Sequence, residues 1–171
     1  MLTIEAYDPA WPRMYVAEAN RLRDAFGVDA LRIEHVGSTS VPGLSAKAVI
    51  DIQVSVRTLD PVGRYTALME SLGYLHVPQG DFTLVYPFYC RPAVWPSTHH
   101  VHLCVAGGEP EAQHLAFRDG LRREPALAAE YVSLKRRLAA LHHGDTLESR
   151  EAYSIAKSDF VEMVLARARL P

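Results

Sequence analysis

Cysteine is nearly absent from this chain, with only Cys90 and Cys104 among 171 residues. Two thiols in apolar sequence make no disulfide framework, and a buried, reduced pair is the expected state. A long hydrophobic run is missing as well. No stretch reaches the roughly 18 to 20 apolar residues that a membrane-crossing helix needs, and the opening MLTIEAYDPAWPRMY carries acidic residues and prolines where a secretory segment would be apolar. The expected setting is therefore cytoplasmic, with no membrane partner. Charge of one sign is also lacking: 18 Lys and Arg stand against 20 Asp and Glu, a net charge of −2. Such a chain has no overall attraction for nucleic acid, and no basic stripe is interleaved with aromatics, so nucleic acid ranks last among partners. Oligomeric state has no signature in the sequence. Repeats and linkers are absent, and 49% hydrophobic with 22% charged residues fits one folded domain over residues 1–171.

What is present has a readable order. Asp8-Pro9-Ala10-Trp11-Pro12 is a rigid turn into a helix ending near Phe26, with Pro12 in the first turn, where its missing N–H costs nothing. Leu31 to Val36 alternates as a strand and stops at Gly37, and Ala48 to Val56 reads as a second strand. Asp60-Pro61 resembles a helix start, with Asp60 as cap, and Val62, Tyr65, Leu68, Met69 and Leu72 recur at helical spacing. Tyr74 to Val77, Phe82 to Tyr89 and His99 to Val105 read as strands. Glu111 to Arg123, a segment opened by Pro125, and Glu148 to Arg169 read as three helices, the second striped by Leu127, Tyr131, Leu134, Leu138 and Leu141. The order implies an α+β fold: a mixed sheet of about five strands with a C-terminal helical layer.

The second strand carries the chemistry. Side chains alternate along a strand, so Ile50, Ile52, Val54 and Val56 share a core face while Asp51, Gln53 and Ser55 share the other. A carboxylate in so apolar a strand is costly to bury unless it is paired or bound to metal; otherwise that face is solvated. Just before it, Gly37-Ser38-Thr39-Ser40 offers small residues, hydroxyls and exposed N–H groups, a favourable setting for phosphate. By itself that is an ordinary turn. With Asp51 it describes a metal–phosphate site in which Gly37, Ser38 and Thr39 hold phosphate oxygens and Asp51 a divalent cation.

The run from Ile33 to Ile52, IEHVGSTSVPGLSAKAVIDI, resembles the signature of the GrpB family. The likeness continues in Phe117-Arg118-Asp119-Gly120-Leu121-Arg122, in Tyr131-Val132-Ser133-Leu134-Lys135, in Tyr153 with Lys157, and in the opening Tyr7-Asp8-Pro9 with Trp11-Pro12, so it covers nearly the whole chain. The resemblance implies a nucleotidyltransferase-like fold. Members of that superfamily follow a Gly-Ser turn with a strand bearing two carboxylates two residues apart. Here Asp51 fits the first position and Gln53 replaces the second. One neutral amide does not supply the charge that two-metal phosphoryl chemistry draws on.

If His99 to Val105 is the superfamily's later carboxylate-bearing strand, His100 and His102, which share one face, stand beside Asp51. Two imidazoles and a carboxylate suit zinc, manganese or iron better than magnesium; the plainer reading is that they hydrogen-bond to backbone or substrate. His35 is a further lining candidate, and Glu34, on the opposite strand face, is structural. Arg118 and Arg122 share a helix face, and with Lys47, Lys135 and Lys157 they form a basic set suited to a polyphosphate. Arg118 and Lys157 match positions that recur in the family. The alternative is a solvated charged face, with Tyr131 and Tyr153 as core aromatics.

The expected function is thus a nucleotidyltransferase-like protein that binds a nucleotide or phosphorylated small molecule with a divalent metal (Mg or Mn, with Zn as the variant). Transfer of a nucleotidyl group to an acceptor would be the further step, with Asp51, His100 and His102 catalytic. Two alternatives stand beside it: a non-catalytic binding module that lost the second carboxylate at Gln53, and a His/Asp metal-dependent enzyme acting on a phosphorylated substrate.

Overall fold

A computed structural model describes residues 3–78, 86–92, 96–142 and 146–168. Its centre is a mixed five-stranded sheet built from β1 (Ala30–Val36), β2 (Ile50–Val56), β3 (Leu75–Val77), β4 (Phe88–Arg91) and β5 (His99–Val105), in the order β1-β2-β5-β4-β3. β2 runs antiparallel to β1 and parallel to β5. The Phe82–Tyr89 strand is seen from Phe88; residues 82–85 lie outside the described segments.

One face of the sheet packs on α1 (Trp11–Phe26), which opens with Pro12 in its first turn as the sequence suggests. Trp11, Leu22 and Phe26 meet Ile50, Ile52, Val54, Val56, Val101 and Leu103 in the main core. α2 is shorter than its periodicity implies. It covers Thr66–Ser71, with Tyr65 rather than Asp60 at its cap position. Gly63 has φ +80°, a left-handed conformation that cannot continue a right-handed helix, so residues 61–65 form turns first.

The opposite face lies beneath α3 (Glu109–Arg123), with α4 (Pro125–Leu141), α5 (Leu147–Ile155) and α6 (Ser158–Ala168) beyond it. Among the described residues the last third therefore holds four helices where the sequence implies three. The segment from Glu148 breaks at Ala156 and Lys157, where the Lys157 N–H bonds back to Ser154 in a tightened turn; Arg169 lies outside the described residues. A second core joins Val41 and Leu44 to Leu121, Leu127, Tyr131 and Val164. Leu141, at the end of the α4 stripe, is exposed.

The face of β2 that bears Asp51 is not a solvated outer face. Gln53 and Ser55 are completely buried, covered by α3, and only the Asp51 end remains accessible, with about a quarter of its side chain exposed (26%).

Candidate functional site

Register fixes which side chains meet. Val36, Asp51, His100 and Cys90 are cross-strand partners in one row, and Glu34, Gln53, His102 and Phe88 make the next. Paired residues on adjacent strands share a face, so His100 and His102 do stand beside Asp51. His100 Nδ1 donates to Asp51 Oδ1 at 3.1 Å, and His102 Nε2 lies 3.5 Å from the same oxygen. The same register reverses two expectations. Glu34 belongs to the Asp51 face, while His35 turns to the α1 face, stacked on Tyr15 with ring centroids 4.7 Å apart. The two side chains do lie on opposite faces, but it is Glu34, paired with Gln53, that shares the side of Asp51.

Gly37 carries the chain past Asp51. Its φ is +67°, and a β-carbon there would come within 2.9 Å of the Asp51 β-carbon and overlap Oδ2. Ser38 opens a short 3-10 turn and reaches the phenol of Tyr131. Thr39 points elsewhere: its buried hydroxyl donates to the Val49 carbonyl at 3.0 Å and so accepts from His35 Nε2. Thr39 holds the turn to β2 rather than facing the cleft.

The two arginines also act as ties. Arg118 donates to Glu34 at 2.8 Å, to the His35 carbonyl at 3.1 Å and to Asp119 at 2.8 Å. Arg122 donates twice to the Ser40 carbonyl, at 2.7 and 3.2 Å. Lys47 is half-buried in the connection before β2. The lysines of the helical layer differ from these. Lys135, 2% exposed, donates to the Ser45 carbonyl at 2.6 Å and lies over the Tyr131 ring, and Lys157 Nζ sits 4.3 Å from the Tyr153 centroid. Both feel the charge of Asp51. Burial is the leading cause that draws the Lys135 ammonium down to about 7 and that of Lys157 to about 8. Their neighbours Tyr131 and Tyr153 are core aromatics, as the plainer reading had it.

Burial would raise the Asp51 carboxyl, but the hydrogen bonds and charge of His100 and His102 outweigh it and hold the group well below the usual carboxylate range. The predicted metal set of Asp51, His100 and His102 is therefore brought together, but as a hydrogen-bonded cluster. Among the described residues no group of three His, Cys, Asp or Glu side chains is arranged to hold a metal ion. Gln53 adds no charge: both atoms of its buried amide lack partners, as does His102 Nδ1.

Three site residues were missed. His114 of α3 is edge-on to His102, with centroids 5.1 Å apart, and lies 2.6 Å from the Tyr86 hydroxyl. Burial lowers it to about 4, so the ring is neutral. Its signal was the spacing His114, Arg118, Arg122, one helix face extended a turn earlier. Tyr86 and Phe88 had no comparable signal. Glu111, one turn earlier still, is buried and accepts from Arg32, Ser55 and the Gly107 N–H. Those bonds, with Arg32 first, hold its carboxyl at about 2.

Two shallow hollows of about 610 Å³ each flank α4, not Asp51; one is lined by Val41, Pro42, Leu44, Leu121, Ala128 and Val132.

Comparison with known proteins gives this architecture a family. The model of the GrpB protein family matches residues 1–167. The crystal structure of conserved protein GrpB from Enterococcus faecalis superposes with a TM-score of 0.82 at 34% identity, over 97% of this chain and 96% of that one. The UPF0157 protein PA4798 of Pseudomonas aeruginosa is 40% identical over 170 residues, covering 94% of this chain and 65% of that protein. A dephospho-CoA kinase of Mycolicibacterium paratuberculosis is 31% identical over 184 residues, covering 94% of this chain and 44% of the kinase. The chain spans 39% to 65% of the length of the first curated relatives it matches. The chain belongs to the GrpB family.

Proposed function

We propose that the cleft beside Asp51 binds the phosphate of a phosphorylated small molecule, a nucleotide among the candidates, in the manner of a nucleotidyltransferase. One observation carries this reading: Lys135 and Lys157 both lie within electrostatic reach of the Asp51 carboxylate, and burial leaves both ammonium groups destabilised. A buried cation short of counter-charge is stabilised by an incoming anion, so a phosphate group supplies what the pocket lacks. Ser38 and the lysines hold the phosphate oxygens, and Asp51, oriented by His100 and His102, faces the far side of the group. Arg118 and Arg122 fix the walls. The dephospho-CoA kinase name of one relative is consistent with a nucleotide-linked role for this domain within a longer protein.

Of the catalytic and non-catalytic versions, the buried, neutral Gln53 favours binding without two-metal transfer. Titration calorimetry with inorganic tripolyphosphate tests the proposal. Millimolar or tighter binding is expected, with proton uptake between pH 7 and 10 as the anion raises both lysines, and at least tenfold weakening by Lys157→Met. Failure to bind, or binding indifferent to Lys157→Met, would refute it.

A further inference from the structure

The cleft has two unlike halves. On one side stand Ser38, Lys135 and Lys157. On the other, five rings from β4 and the bend just before it, from β5 and from α3 form a continuous wall. Tyr86 lies nearly parallel to His102, with centroids 5.2 Å apart and planes at 19°, and Phe88 meets both His100 and His102 at 4.9 Å. His114 closes the wall edge-on to Tyr86 and His102. None of the five is fully buried, and the wall joins the anion half through the hydrogen bond of His100 to Asp51.

Resting on the phosphate-binding reading above, we infer that this ring wall seats a flat heteroaromatic group carried by the same phosphorylated ligand, which makes the ligand class a nucleotide rather than a sugar phosphate. Several observations converge on it. His100 and His102, which flank Asp51, are themselves members of the ring wall, so a ligand whose phosphate lies beside Asp51 has aromatic surface next to it. The wall is uncharged where His114 contributes, and it mixes π-faces with the Tyr86 hydroxyl and imidazole nitrogens, so it offers stacking together with donors and acceptors for a ring edge. A base gains affinity by stacking on an aromatic side chain, a gain a polyphosphate or a bare sugar phosphate does not collect. A wall present only to pack the sheet has no need to stay partly open beside the one accessible carboxylate of β2.

The experiment compares ATP with inorganic tripolyphosphate by calorimetry on the wild type, Tyr86→Ala and Phe88→Leu. ATP is expected to bind at least tenfold more tightly than tripolyphosphate, and both variants should erase that advantage while leaving tripolyphosphate affinity within twofold. Equal wild-type affinities, or variants that weaken both ligands alike, overturn the ring subsite while leaving the phosphate site standing. If neither ligand binds, the phosphate reading fails and the subsite with it. NMR decides on the wild type alone should a variant not fold: the Phe88 and His114 ring protons must shift with ATP and stay in place with tripolyphosphate, and shifts of equal size with both would overturn the proposal.

Discussion

Gly37 and Asp51 occupy each other's space so closely that neither position tolerates an added atom from the other: a β-carbon on Gly37 would overlap the Asp51 carboxylate. At φ +67° and ψ −172° the backbone there also lies in a region open essentially to glycine alone. Gly37→Ala is therefore expected to destabilise the fold by about 2–4 kcal/mol, from strain plus the forced displacement of Asp51. Urea unfolding measures it, and a cost below 1 kcal/mol would show that the approach relaxes freely.

Asp51 should be what keeps the two lysines charged near neutrality, since its negative charge raises both. Asp51→Asn is expected to lower the Lys157 ammonium below about 8. The pH dependence of its acylation, read by mass spectrometry, gives the value. An unchanged midpoint would mean that the carboxylate and Lys157 do not interact.

Stability should depend on pH in three windows. His35 and His114 sit near 4 when folded, against about 6.5 when unfolded. The unfolded chain therefore binds more protons between those limits, and stability falls as pH drops from 6.5 to 4. Glu111, held at about 2, adds a further loss below about 4.5. On the alkaline side, Lys135 and Lys157 are neutral in the fold from about 7 and 8 but remain charged in the unfolded chain to about 10.4, so stability rises between pH 7 and 10. Thermal melts across these ranges check the signs. Lys157→Met should flatten the alkaline rise.

Glu111 ties α3 to the sheet through Arg32, Ser55 and the Gly107 N–H. Glu111→Gln removes the charge those donors favour and should cost about 2 kcal/mol, within the range of hydrogen bonds to ionised groups. Chemical denaturation reads it. The loss should persist in the Arg32→Met, Glu111→Met pair, because the buried Ser55 hydroxyl and the Gly107 N–H still lack their acceptor.

Gln53 predicts the opposite sign. Both ends of its buried amide lack partners, so Gln53→Met, similar in length and without polar atoms, should be neutral or stabilising by about 1 kcal/mol. A clear destabilisation would mean that the amide is satisfied by an ordered water or a ligand.

Much of the site could be read in the sequence because strand alternation is rigid: Asp51, His100 and His102 had to share faces within their own strands, and the parallel pairing of β2 and β5 brought the two sets together. What could not be read depended on register and on three-dimensional cover. Glu34 and His35 are adjacent, and only the β1–β2 pairing, Glu34 opposite Gln53, decides which of them faces α3. The roles of Arg118 and Arg122 went unseen for a related reason: their partners are mainly backbone carbonyls and Glu34, more than eighty residues away. Phe88 opens a short strand, with Tyr86 in the bend just before it, and their contribution emerges only once the sheet order places that strand beside β5. The early start assigned to α2 failed at Gly63, where periodic apolar residues continue but the backbone turns left-handed.

The way α3 is fastened has a consequence for how the cleft can respond to whatever enters it. Near its beginning the helix is moored through Glu111 to Arg32 and Ser55, and near its end through Arg118 and Arg122 to Glu34 and the Ser40 carbonyl. A beam anchored at both ends cannot swing, so the roof above Asp51 behaves as a fixed template. Accommodation then falls to Lys157, whose stem rises from the turn between the last two helices, so selectivity for ligand shape is built into the rigid side while charge adjustment is left to that turn.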